Sequence, residues 1–363
     1  MSNTWGENFK ITIFGESHSE CVGIIIDGLP VGIPINEDFI NDFMSKRSPG
    51  KNEYSSSRVE NDYPQITSGA FNGKTCGTPL CAIIKNQNQN SQEYQPNLPR
   101  PSHADLPAHI KYKGFEDYRG GGHFSGRLTA PLTVAGAIAI SILKEKGINI
   151  SAHISKIGKI SDNKFSAISI NNELINALNL SNFPLINAEK EGEMKSLIIE
   201  AKENSDSIGG QIECIACGLP IGIGSPFFDS LESKISSLMF SIPAVKGVEF
   251  GDGFDISSCF GSQANDSILF ENGIYKTKTN HNGGINAGLS NGMPLTVNIA
   301  IKPTPSIGKE QETIDFNTNK KAIISINGRH DPCIVPRAVV VAKSALAIAI
   351  LDELLNYDGG KNA

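Results

Sequence analysis

The sequence predicts one α+β domain spanning residues 1–363, and three observations lead there. Short segments such as 10–14 and 295–301 alternate or fill with β-branched residues, as strands with a buried face do. Two longer runs, 132–143 and 338–355, are apolar on almost every side and rich in alanine, which marks helices buried in a core. No tract of proline, serine or charge divides the chain, so nothing in it reads as a linker.

Composition narrows the function. With 39% hydrophobic and 19% charged residues the chain has the make-up of a globular protein. Its formal net charge of −6 argues against a broad nucleic-acid or anionic-membrane surface, so an anionic ligand must be drawn in by a local cluster of cations. Seven irregularly spaced cysteines suggest reduced thiols and a cytoplasmic setting. The first seven residues lack the basic and apolar regions of a signal peptide. Neither apolar run reads as a membrane span: the first is too short, and Lys343, Asp352 and Glu353 interrupt the second.

In chain order, 10–14 and 22–26 read as strands joined through Gly15-Glu16-Ser17-His18. A helix over 37–46 follows an Asn36 cap, with Ile40, Phe43 and Met44 at helical spacing, and ends in the basic turn Lys46-Arg47-Ser48-Pro49-Gly50. Strands are expected at 65–68 and 80–85. Residues 86–112 are polar and aperiodic and read as a long ligand-covering loop, which contains Arg100-Pro101-Ser102-His103-Ala104-Asp105. Strands at 148–160 and 208–219 and helices at 171–178, 190–203 and 230–240 form scaffold. Residues 244–253 and 281–284 read as glycine-rich turns, and the strand 295–301 runs into Lys302-Pro303-Thr304-Pro305-Ser306.

Cys214 and Cys217 form a C-x-x-C inside an expected strand. Residues three apart on a strand face opposite ways, so neither a metal site nor a redox pair is expected, and no histidine pair has metal-ligand spacing.

The chemistry gathers on Asp117-Tyr118-Arg119-Gly120-Gly121-Gly122-His123-Phe124-Ser125-Gly126-Arg127. Three glycines let the backbone approach a ligand closely, and a loop feeding a helix start offers free N–H donors to an anion. The lack of a following Gly-Lys-Ser/Thr and of G-x-G-x-x-G spacing excludes a Walker loop and a dinucleotide fingerprint. Gly328-Arg329-His330-Asp331-Pro332-Cys333-Ile334-Val335-Pro336-Arg337 repeats the design, a polar loop flanked by arginines before an apolar helix, and hints at an internal pseudo-repeat. Together the polar loops supply Ser17, His18, Arg47, Arg100, His103, Arg119, His123, Ser125, Arg127, Lys302, Thr304, Ser306, Arg329, Asp331 and Arg337. Guanidinium forks suit carboxylates and phosphates. The residues thus point to a multiply anionic ligand, with histidines and one aspartate available for proton transfer.

These motifs, taken in order, resemble the chorismate synthase family along essentially the whole chain. The carriers are Phe14-Gly15-Glu16-Ser17-His18, Arg47-Ser48-Pro49-Gly50, His103-Ala104-Asp105, the triple-glycine stretch, residues 245–255, His281-Asn282-Gly283-Gly284, Lys302 to Ser306, and 328–333 with Arg337. The resemblance implies a β-α-β sandwich, with central helices between antiparallel sheets, assembled as a homotetramer. It implies conversion of 5-enolpyruvylshikimate 3-phosphate to chorismate by anti-1,4-elimination, with reduced FMN required although no net redox change occurs. His18 matches the residue expected to protonate the departing phosphate, with Ser17 beside it, and His103 the one expected to protonate the reduced flavin. Asp331 matches the aspartate that works with flavin N5 in removing the ring proton, and Ser125 joins the catalytic set. Arg47, Arg127, Arg337 and Arg119 are the expected substrate arginines. The flavin is expected against His123, Phe124, Ser125, Pro243, Ala244, Ala287, Lys302, Pro303, Thr304, Pro305, Ser306 and Arg329. No metal is expected.

The chain departs from the family pattern at Ser19, at Ser48 and Glu53 in the basic turn, and at His123-Phe124 and Gly126. Glu53 stands where an arginine linked to NADPH contact is common, so reduced flavin is expected from an external flavin reductase. An FMN-dependent oxidoreductase acting on an anionic substrate is the rival reading; it would need a stoichiometric oxidant or reductant.

Overall fold

The computed structural model describes residues 3–48, 50, 62–87, 94–165, 170–326 and 331–361, with side chains to residue 357 at the C-terminal end. Glu53 and Arg329 lie outside the described residues. Two five-stranded antiparallel sheets sandwich a layer of helices, the arrangement the family resemblance implies.

The N-terminal sheet runs in the order Thr4–Trp5, Lys10–Gly15, Cys21–Asp27, Leu80–Lys85, Gln65–Ser68. The C-terminal sheet runs Val245–Phe250, Leu295–Ile301, Gly210–Cys217, Asn149–Ile157, Ile160–Ser161. The helices are α1 (Glu37–Arg47), α2 (Asp105–Tyr112), α3 (Thr129–Glu145), α4 (Asn172–Leu180), α5 (Glu191–Glu203), α6 (Leu231–Ser241), the single turn α7 (Gly261–Ala264) and α8 (Val335–Lys361). Asn36 caps α1 as expected, accepting the Phe39 N–H at 2.9 Å.

Period-two burial fixes the inner faces. Val22, Ile24 and Ile26 alternate inward from one sheet, and Ile212, Cys214 and Ala216 from the other. Between them α3 packs on the N-terminal sheet and on α8, while α8 also covers the C-terminal sheet. The two apolar runs thus become one central helix pair. Their alanines let the axes close up, and at the crossing only glycine fits: a Cβ on Gly136 would lie 2.1 Å from the Ser344 Cβ. The segment Gly126–Glu145 is long and apolar enough to cross a membrane by length and composition, yet most of it is buried inside this sandwich.

Three charges in α8, Lys343, Asp352 and Glu353, are buried too. Asp352 Oδ1 accepts the backbone N–H groups of Glu7, Asn8 and Phe9 at 2.9, 2.7 and 2.8 Å, pinning the N-terminal segment, and Glu353 pairs with Lys234. Lys343 donates to Asn179 Oδ1 at 2.9 Å and sits 4.8 Å from the centre of the Phe43 ring. Burial and the nearby Lys46 push its ammonium down to about 7.

Cys214 joins the sandwich core, whereas Cys217 packs outside the sheet with Ile215, Leu178 and Phe165, as the strand argument requires. Burial raises both thiols, Cys217 to about 11. On that outer face the fully buried His153 bridges Asp162 and Glu213 at 3.0 and 2.9 Å.

Two expectations are corrected. Asp105–Tyr112, read as loop, is helix α2, and Val245–Phe250, read as turns, is an edge strand paired with Leu295–Ile301. The hairpins Ile268–Glu271 with Ile274–Thr277 and Gln311–Asp315 with Lys320–Ile324 were not anticipated.

Candidate active site

The triple glycine is built around a close approach. Gly120, Gly121 and Gly122 have φ of 61°, 82° and 53°, which side chains disfavour. A Cβ on Gly120 would stand 2.2 Å from His18 Cε1 and 2.7 Å from Ser17 Oγ, while the Ser17 N–H donates to the Gly122 carbonyl at 3.1 Å. The loop therefore serves first to seat Ser17 and His18. Beyond it Ser125 accepts the Arg127 N–H at 3.3 Å, turning the chain into α3.

Next to this loop lies a cavity of about 400 Å³. It is lined by Ser17, Arg47, Phe124, Ser125 and Arg127 from the N-terminal half. His103 joins them from the long polar segment, Pro243 and Ala244 from the end of α6, Lys302, Thr304, Pro305 and Ser306 from the turn after Leu295–Ile301, and Asp331 and Arg337 from the start of α8. Residues more than three hundred positions apart meet because α3 and α8 lie side by side.

The arginines are pinned from behind by a carboxylate that sequence reasoning missed. Asp62, with a side chain only 1% exposed, gives Oδ2 to Arg47 Nη1 and Oδ1 to Arg127 Nη1. Burial alone would raise its carboxyl, but the charges of Arg47 and Arg127 and the bond from Arg127 outweigh burial and hold it below the usual carboxylate range. Arg47 Nε donates to Thr129 Oγ1 at 3.0 Å and Arg127 Nε to Asn86 Oδ1 at 2.9 Å. Arg337 Nε donates to the Arg47 carbonyl at 2.7 Å, and its Nη1 pairs with Asp331 Oδ2. Three guanidinium groups are thus interlocked before any ligand arrives.

On the opposite wall His103 Nε2 is 2.7 Å from Ser306 Oγ. Lys302 donates to the Ser102 carbonyl at 2.7 Å, and burial together with Lys246 lowers its ammonium. Arg100 also lines the cavity, in a bidentate pair with Asp105 at 2.7 and 2.8 Å. Among the described lining residues cations outnumber carboxylates, which suits a multiply anionic ligand in a chain of net charge −6.

Several predicted residues stand elsewhere. Arg119 is 41% exposed and forks onto Asp117 at 2.8 and 2.9 Å, so Arg100, not Arg119, contributes to the wall. His123 donates from Nδ1 to the Gly15 carbonyl at 2.8 Å, which ties the glycine loop to the first strands. His18 is buried behind Ser17 and Gly120 and borders the shallow cleft beside Glu20 and Lys85. Pro303 faces outward. Ala287, at φ 50°, sits exposed at the turn of the hairpin Ile285–Asn286 with Leu289–Ser290, beside the start of α6 and outside the lining of this cavity. Asp62 and Tyr94 were missed because a lone acid and a lone tyrosine in polar segments carry no local pattern.

The wall also has features that a flavin phosphate and ring system would use. Among the described residues Thr304 Oγ1 is buried in the lining with no protein partner, next to Lys302. Phe124 and the Pro243-Ala244 turn, with Ala244 at φ 76°, form an apolar face.

The chain is similar to known proteins over nearly its full length. The family model for chorismate synthase matches residues 9–355. A chorismate synthase of Dehalococcoides mccartyi is 44% identical, covering 97% of this chain and 96% of the relative. One of Korarchaeum cryptofilum is 42% identical over 97% of each chain, and one of Methanocaldococcus jannaschii is 41% identical over 98% and 97%. A solved crystal structure of chorismate synthase superposes with a TM-score of 0.76 at 30% identity, covering 97% of this chain and 93% of that one. A family match of this length, on a chain whose fold agrees with it, settles the kinship: the protein belongs to the chorismate synthase family.

Proposed function

We propose that this protein is a lyase that converts 5-enolpyruvylshikimate 3-phosphate to chorismate and phosphate by anti-1,4-elimination, with reduced FMN as cofactor and no net redox change. The observation that carries this reading is the convergence of Arg47, Arg127 and Arg337 on one cavity with Asp331 and His103. A substrate with two carboxylates and a phosphate matches those forks. Loss of the phosphate breaks a C–O bond and needs an acid near neutral pKa, the role of His18 with Ser17 beside it. Loss of the ring proton needs an acceptor, the role of Asp331, whose carboxylate Arg337 holds at the cavity wall. His103, hydrogen-bonded to Ser306, faces the cofactor side, and Ser125 supports the loop between the two.

Lys302, Thr304, Ser306, Phe124, Pro243 and Ala244 would hold the flavin. When bound, reduced FMN supplies a reducing ring that the elimination returns unchanged. An external reductase supplies it, the enzyme works in the cytoplasm, and it acts as a homotetramer. The tetramer reading is supported by aromatics left at the surface of a single chain, Phe227, Phe228, Phe254, Phe260 and Phe270.

Asp331→Asn tests the assignment. Asparagine keeps the shape but is no base, so flavin and substrate binding should persist while turnover falls roughly 10²–10⁴-fold. A variant keeping more than about a tenth of wild-type turnover would remove Asp331 from the reaction.

A further inference from the structure

The ring of His18 is held on two sides. Gly120 closes one side, leaving no room for a Cβ. On the other the ring of Tyr94 meets it in an edge contact, with centroids 5.5 Å apart and planes at 77°. Tyr94 is itself overlaid by the Arg100 guanidinium, 5.4 Å from its centre. Arg100 cannot swing away, because its Nε and Nη2 bind Asp105 at 2.7 and 2.8 Å and its backbone N–H donates to the same carboxylate at 3.0 Å. That ion pair closes the loop whose central residue is His103.

We propose that Tyr94 is a positioning residue for His18, locked by the Arg100–Asp105 pair, so that one closed loop sets the geometry of both histidines. The inference rests on the reading of His18 as proton donor for its functional consequence, though not for the geometry. Packing on two sides fixes the plane of the imidazole. Among the described residues, charged groups near it include Asp117, whose carboxyl feels the histidine, Glu20 and Lys85 along the cleft, and Arg100 across Tyr94. The guanidinium fork of Arg100 on Asp105 and the tyrosine ring together set the orientation that a general acid needs, and a displacement of about 1 Å can cost on the order of a hundredfold in rate.

The test compares Tyr94→Leu, Tyr94→Phe and Arg100→Lys in the full-length protein. Imidazole NMR follows the titration of His18 in the resting protein, and steady-state kinetics follow the substrate. Tyr94→Leu should move the His18 midpoint by roughly half a unit or more. It should also lower kcat about ten- to a hundredfold with KM little changed. Tyr94→Phe, which keeps the ring, should leave the His18 midpoint in place, and Arg100→Lys should move it in the same direction as Tyr94→Leu. A purely packing role for Tyr94 would lower Tm in Tyr94→Leu with the His18 titration unmoved, and that result overturns the inference, as does a Tyr94→Phe variant that titrates like Tyr94→Leu. If the titrations behave as stated but wild type releases no phosphate from the substrate, the positioning stands and the functional reading fails.

Discussion

Asp62→Asn puts the interlocked arginines to the test. In the wild type each carboxylate oxygen takes one guanidinium, and the Arg47 and Arg127 side chains are 5% and 4% exposed, so solvent and salt screen little. Asparagine keeps one acceptor and turns an NH₂ group toward the other arginine. A hydrogen bond to a charged group contributes about 1.5–3 kcal/mol. Breaking a buried ion network from one side costs about 3–5 kcal/mol, because the remaining charge is left uncompensated. A loss of about 3–4 kcal/mol at pH 7 follows, a large share of the roughly 5–15 kcal/mol that folds a domain. The sign with pH is fixed by the depressed Asp62 carboxyl. Its contribution is full above the ordinary carboxylate value of about 3.9 and disappears only as pH falls through the lower folded value. Urea unfolding at pH 7 measures the loss, with an unchanged m value as the check that the same transition is being followed. Inorganic phosphate should narrow the gap between variant and wild type, since an anion bound among the arginines replaces the missing charge. A loss below about 1 kcal/mol, or a gap that phosphate leaves untouched, would refute the claim that Asp62 holds these arginines.

The helix pair and its buried lysine give two more tests. Gly136→Ala places a methyl 2.1 Å from the Ser344 Cβ and should cost about 1–3 kcal/mol in urea unfolding, with Gly136→Ala/Ser344→Gly recovering only part of it, since the methyl still stands 2.5 Å from the Ser344 Cα. A neutral effect of the single change would mean that α3 and α8 do not cross there. Lys343→Met should stabilise the fold, by up to about 5 kcal/mol at low pH if the whole depression from 10.5 to about 7 is charge burial. The folded state gives up the Lys343 proton near 7 and the unfolded state near 10.5, so wild-type stability should rise with pH across that window and the methionine variant should lack the rise. A parallel pH profile for both would show that Lys343 is charged in the core.

Much of the sandwich was legible because burial leaves a period in the sequence. The strand Leu295–Ile301 and the small-residue helices α3 and α8 follow from pattern alone. The edge strand Val245–Phe250 did not, because Gly247 and its neighbours give a glycine-rich composition while the pairing comes from Leu295–Ile301, fifty residues on. Helix α2 was hidden in a polar segment because it buries only Ala108 among its eight residues. At the site, residue types were legible and partners were not. Arg119 and Arg100 look alike in the sequence; which one reaches the cavity is decided by Asp117, two residues from Arg119, and by Asp105, five from Arg100. Asp62 could be found only from the side chains it joins.

Anaerobic incubation of the pure protein with photoreduced FMN and 5-enolpyruvylshikimate 3-phosphate, following phosphate, chorismate and the flavin spectrum together, decides whether the elimination is redox-neutral. Equal amounts of phosphate and chorismate are expected, with many turnovers per flavin, a flavin still reduced at the end, and no product from oxidised FMN alone. Product limited to one equivalent per flavin oxidised, or formed equally well with oxidised flavin, would contradict it.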